Sequence, residues 1–224
     1  MDETRNNKTR IINMIFSVLL FGGLWGIVEA TLGSILHLPI IHHTIFLSST
    51  TILVPIAYFF MGACYKRTGT FRSVFYMGLL AASIKAISCA IFMMSFNPVF
   101  YMLLEATAMG IALLVIRPKN VLSFSGLGTL ILANTMYLAS STFLRINVFT
   151  MSGAEVMDNV IYYVFTLNCV AILYAFIFGS ALFGVMKLVE HHSFDFSKVK
   201  KIIYHPACAS LVVMIAVVVT IVLR

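Results

Sequence analysis

Charge is what this chain lacks. Only 10% of its 224 residues are Asp, Glu, Lys or Arg, against about 25% in an ordinary soluble domain. A water-soluble globular fold is thereby excluded for most of its length. Cysteine is sparse too: Cys64, Cys89, Cys169 and Cys208 stand singly, with no C-x-x-C pair. That argues against a disulfide framework or a zinc site and leaves buried free thiols as the expectation. The sequence has no Walker lysine loop, no G-x-S-x-G, no H-E-x-x-H and no dinucleotide fingerprint. No enzyme and no cofactor is expected, and without an ATP site the chain is not a primary pump by itself. The last apolar run, ACASLVVMIAVVVTIVL, has no lysine for a retinal Schiff base.

What is present suits hydrocarbon: 61% of the residues are hydrophobic and the mean hydropathy is +1.01. About 20 apolar residues cross the roughly 30 Å bilayer core, and seven runs qualify: 11–37, 44–65, 73–95, 97–117, 121–145, 158–188 and 207–223. Pro39, Gly69, Asn97-Pro98, Pro118, Gly153 and Pro206 punctuate them. The SFNP hinge predicts a tight hairpin between the third and fourth. The expected fold is an all-α polytopic membrane bundle. A polar tail (1–10) precedes a six-helix core (11–190); a basic connector (191–206) leads to a seventh C-terminal helix (207–224). The first run has no small-residue cleavage site and reads as a retained helix.

The net charge of +7 is explained by topology. With the N-terminus in the cytoplasm, twelve basic residues fall inside, only Arg145 and Arg224 fall outside, and Lys85 lies within the membrane. This positive-inside bias places the chain in the cell membrane with its C-terminus outside if all seven runs span, and nucleic acid is not an expected partner. The first outer loop, HLPIIHH, offers His37, His42 and His43. These either hold a metal ion or simply tolerate water at the interface.

Ionisable residues inside the membrane are the informative ones. Glu29 lies eight residues before His37, and Glu105 eight residues after Asn97, each about 12 Å deep at 1.5 Å per residue. Lys85, ten residues before Ser95, lies at about 15 Å, and Asn134 and Asn168 at about 15–16 Å. Five polar side chains from five helices thus share one layer, with Trp25 on the face of Glu29. An isolated charge there costs roughly 2.5–3.5 kcal/mol, and close carboxylates would share a proton. The layer is either an outward-opening ligand pocket or ion relay, or a Glu–Lys–Glu clasp that locks the bundle. Its net charge of −1, if all three groups are ionised, favours a cationic or amine-bearing ligand.

The first helix also carries Gly22, Gly26, Ala30 and Ser34 at four-residue spacing. This small-residue face suits close helix approach in lipid, either to a partner or to another helix of the chain. Glu29-Ala30-Thr31 and Glu105-Ala106-Thr107, 76 residues apart, match over three residues, which an inverted repeat or chance explains equally.

With GLWGIVEATLGSILHLP, the outward polar layer and its size, the chain resembles the substrate-binding S components of energy-coupling factor transporters. The likeness spans roughly residues 11–190. It implies capture of a small solute (a vitamin, a precursor or a metal ion) from outside. It also implies a transmembrane coupling subunit and ATPase subunits as partners, the former meeting the small-residue face at Gly22, Gly26 and Ala30. The seventh span departs from the usual six-helix plan and reads as an anchor free to touch lipid all round. A self-sufficient ion-coupled carrier or channel using Glu29, Lys85 and Glu105, or a non-transporting assembly subunit, are the readings from other classes.

Overall fold

Apolar runs cut by proline and glycine become helices whose ends those residues set. The computed structural model describes residues 2–36, 49–91, 93, 95–119, 123–147, 165–177 and 205–222. Among them every regular element is an α-helix: α1 Asp2–Leu36, α2 Ser49–Thr68, α3 Phe71–Ile91, α4 Asn97–Ile116, α5 Phe124–Asn147, α6 Phe165–Ile177 and α7 Pro206–Val222. Gly69 closes α2 with φ +68°, a left-handed conformation strained for any residue with a Cβ, and its N–H donates to Tyr65 O at 2.8 Å. Pro98 sits in the first turn of α4, where its missing donor costs nothing. Arg117, left-handed at φ 49°, donates its N–H to Leu113 O at 3.0 Å and ends that helix before Pro118.

Among the described residues, three helical stretches are long and apolar enough to cross a membrane: Arg10–Gly33 within α1, α3 and α4. The outer surface agrees. Phe75, Leu79, Phe100, Val115, Phe165 and Met214 are exposed, an apolar exterior that water-soluble monomers do not carry. Small residues, by contrast, fill the inside: Ala57, Ala81, Ala106, Ala112, Ala175 and Ala216 are buried. In lipid the helices gain little from hydrophobicity against one another, so close approach at small residues holds them together. Apolar helices of this length inside an apolar exterior mark insertion into a membrane.

α1 packs against α2, α3 and α7, while α4 lies between α3 and α5. A Cβ placed on Gly22 would meet Met77 and Leu80 of α3, and one on Gly26 would meet Ile84, so residue numbers rise together along α1 and α3. The same holds for α7: Gly23 lies against Val212 and Gly26 near Ala216. Both pairs run parallel. At Gly78 a Cβ would fall 2.1 Å from that of Ala106, so α3 and α4 touch nearly backbone to backbone. Tyr58, fully buried on α2, donates its hydroxyl to Gly126 O of α5 at 2.5 Å.

Four expectations change. α7 is not surrounded by lipid: it lies along α1 and buries Ala209, Ala216 and Thr220. The polar N-terminal tail from Asp2 onward continues α1 as helix. α3 ends at Ile91, four residues before Ser95, because the chain turns there and Met93 takes φ 51°. Finally, Cys64 and Cys89 are buried thiols, but Cys169 is exposed and Cys208 partly so.

Candidate functional site: a buried polar layer

α1 brings Trp25 and Glu29 together through its own period. Four residues apart on one face, they are joined by the indole Nε1, which donates to Glu29 Oε1 at 3.3 Å. Glu29 is partly buried, and its Oε2 lies 3.4 Å from where a Cβ on Gly33 would stand. A Cβ at Gly33 would thus meet the carboxylate at ordinary contact distance. The Trp25 ring, 1% exposed, reaches the Gly78–Ala106 contact, with Cζ3 3.6 Å from the Cβ position of Gly78. Ala106 follows Glu105 in the chain, so this contact seats Trp25 beside the α4 carboxylate's turn.

Lys85 and Glu105 are both buried, at 6% and 7% exposure. Lys85 lies close enough to act electrostatically on Glu29, and Glu29 in turn on Glu105. The three ionisable groups therefore stand near one another. Because α3 ends early, Lys85 stands six residues from the helix end, or about 9 Å rather than 15 Å. Glu105 keeps its eight-residue offset from the start of α4.

A second polar group joins α5 to α6. Asn134, 1% exposed, donates Nδ2–H to Asn168 Oδ1 at 3.1 Å, and Asn168 donates to Thr135 Oγ1 at 3.1 Å. Thr135 was not singled out in the sequence, although its place beside Asn134 was the available clue. α4 and α5 are packed neighbours joined by a short connection. Glu105 stands eleven residues before the end of α4 and Asn134 ten after the start of α5, and with Ile116 of α4 meeting the Gly128 position of α5 the two lie within about a turn of each other along the bundle. Among the described residues, two side-chain oxygens here are buried without a hydrogen-bond partner: Glu105 Oε1 and Asn134 Oδ1. A buried polar atom left unmet costs about 1–3 kcal/mol.

The small-residue face is filled from within. Gly22 and Gly26 are buried against α3, Gly26 also meets α7, and Ala30 is buried. Gly78, the tightest glycine contact among the described residues, has no signal in the sequence because a lone glycine in an apolar helix carries no periodicity. His37, His42 and His43 lie outside the described residues. Among the described residues no group of three or more His, Cys, Asp or Glu could hold a metal ion. Comparison with protein-family models, with curated proteins and with solved structures finds no match to this chain.

Proposed function

We propose that the chain is a multi-pass membrane protein that captures a small solute in the layer of Glu29, Lys85, Glu105, Asn134 and Asn168. In this reading it acts as an S-component-like subunit that hands the solute to a coupling subunit and ATPases. The observation that carries the reading is the pair of buried oxygens without a hydrogen-bond partner among the described residues, Glu105 Oε1 and Asn134 Oδ1, on neighbouring helices. A solute bearing N–H donors, or a cation, would supply partners for them. The basic ends of α2, α3 and α4 support a cytoplasmic N-terminus, since Lys66, Arg67, Arg72 and Arg117 gather at one end of the bundle. Parallel α1 and α7 fit an odd number of spans, which leaves the C-terminus outside.

One observation favours a second reading. α7 covers α1 at Gly23 and Gly26, and Gly26 belongs to the face (Gly22, Gly26, Ala30) on which the resemblance seats a coupling subunit. A self-sufficient ion-coupled carrier needs no such surface, and Glu29, Lys85 and Glu105 would be its relay.

Reconstitution of the purified full chain in proteoliposomes separates the two, with a panel of small amines and inorganic cations as probes. Capture gives saturable binding without accumulation, whereas gradient-driven uptake by the chain alone decides for the carrier. Glu29→Gln removes a charge-assisted bond of about 1.5–3 kcal/mol, so the affinity for a bound probe should fall about ten- to a hundredfold. A lower melting temperature with an unchanged probe-induced shift would make Glu29 a structural clasp instead.

A further inference from the structure

At the opposite end of the bundle from the α3–α4 hairpin, a cleft of about 420 Å³ opens between the α2–α3 turn and the end of α4. Tyr65, Thr70, Phe71, Arg72, Leu114 and Arg117 line it. Both arginines are exposed, and among the described residues that line the cleft none is acidic. Arg117 spends one donor on Leu114 O at 3.2 Å, which leaves four of the five N–H groups of a guanidinium. The cleft also borders the first turn of α3, whose backbone N–H groups form the positive end of that helix. Lys66, Arg67 and Lys119 lie close by in sequence, on the same helix ends.

The same cleft has an apolar border. Phe71, Phe75, Leu114 and Val115 are exposed next to it, and these residues stand on membrane-crossing helices. A guanidinium pair above an apolar helix surface matches a ligand with a phosphate head and hydrocarbon tails. Guanidinium groups bind phosphate oxygens two at a time, and basic pockets between helices on the cytoplasmic side are where anionic lipid headgroups seat. We infer that this cleft binds a phosphate group, and that its occupant is the headgroup of an anionic phospholipid of the inner leaflet, held by Arg72 and Arg117. The site is separate from the polar layer and independent of which solute that layer takes.

The test uses the purified full chain in detergent, titrated with short-chain phosphatidylglycerol, short-chain phosphatidylcholine or inorganic phosphate while thermal unfolding is followed. Phosphatidylglycerol is expected to raise the melting temperature, while the other two at equal concentration are not. One cation near an anionic surface is worth about fivefold in affinity, so Arg72→Gln with Arg117→Gln should weaken phosphatidylglycerol about thirtyfold if the two act independently. Arg10→Gln, in α1 and outside the cleft lining, should keep wild-type affinity. Equal stabilisation by both lipids, or an unchanged response in the double variant, overturns the site. Stabilisation by inorganic phosphate that matches phosphatidylglycerol assigns the cleft to a soluble phosphate and overturns the lipid. Should the double variant not fold, native mass spectrometry of the wild-type chain from an equimolar mixture of the two lipids decides. Retained phosphatidylglycerol in excess, lost as salt rises, supports the proposal. No enrichment overturns it and leaves the basic cleft to an acidic segment of a partner protein.

Discussion

Gly78→Ala tests the contact on which Trp25 and the α4 carboxylate rest. The new Cβ would stand 2.1 Å from Ala106 Cβ, but 3.6 Å from both Ala106 Cα and Trp25 Cζ3. Carbon atoms rest at about 3.5–4.0 Å, so one atom pair alone is forbidden. Neither atom of that pair has a rotamer to change, so α3 and α4 must part by roughly 1.5 Å. Overpacking of this kind costs about 1–3 kcal/mol, and the rigid geometry argues for the upper end. Helix propensity returns about 1 kcal/mol when Ala replaces Gly, which leaves a net loss of about 2 kcal/mol. Ala106→Gly alone should cost about 1 kcal/mol by the same propensity. In the double variant the clashing atom is gone, the propensity terms cancel, and the new Cβ finds its nearest neighbours at ordinary distance. The double variant should therefore be more stable than either single one and within about 0.5 kcal/mol of wild type. Unfolding in detergent, by heat or by denaturant, reads all four proteins. A Gly78→Ala variant as stable as wild type, or losses that simply add, would refute the backbone-to-backbone contact.

Two further predictions concern α7 and the topology. Gly23→Leu should destabilise the protein by about 1–3 kcal/mol, because its Cβ alone would stand 2.9 Å from Val212 Cγ1 and 3.2 Å from Val213 N; an unaltered unfolding midpoint would mean that α7 is not seated on α1. Single cysteines introduced at Asn97 and at Gly69, in a chain without its native thiols, should react with an impermeant reagent from outside at the first site and not at the second. The reverse pattern would invert the bundle and place the basic cleft in the outer leaflet.

Local rules made the helix ends readable, and the rarity of charge made the candidate polar residues readable. Gly69, Pro98 and Pro118 act through their own backbone restrictions, so their effect needs no knowledge of the rest of the fold. Trp25 and Glu29 meet because four residues make about one turn, which any helix guarantees. Glu29, Lys85 and Glu105 stood out because charge is rare in such a chain. The depth of Lys85 was misjudged for the converse reason: IFMMSF holds neither proline nor glycine to mark the end of α3, and the turn at Met93 is set by the hairpin as a whole. Gly78 was illegible because its role depends on Ala106, 28 residues away. The docking of α7 was hidden by its composition. When lipid and neighbouring helices are equally apolar, hydrophobicity does not separate a buried face from an exposed one, and only Ala209, Ala216 and Thr220 hint at it.

The seat of α7 bears on both functional readings. Gly23 and Gly26 accept α7 at distances that leave no room for another helix, so in the capture reading proposed above a coupling subunit would have to displace α7 or dock elsewhere. Displacing it would uncover small residues whose close contacts hold α1 in place, and α1 carries Trp25 and Glu29. Any force that moved α7 would reach the polar layer through that helix, by the contact at Gly26 and the indole bond one turn further on. A capture subunit could use that link to release its solute when its partner binds. In a carrier working alone, the same contacts would instead hold α1 fixed while the layer exchanges its ion. The two buried oxygens are common to both, which is why solute binding is the property to measure first and transport the second.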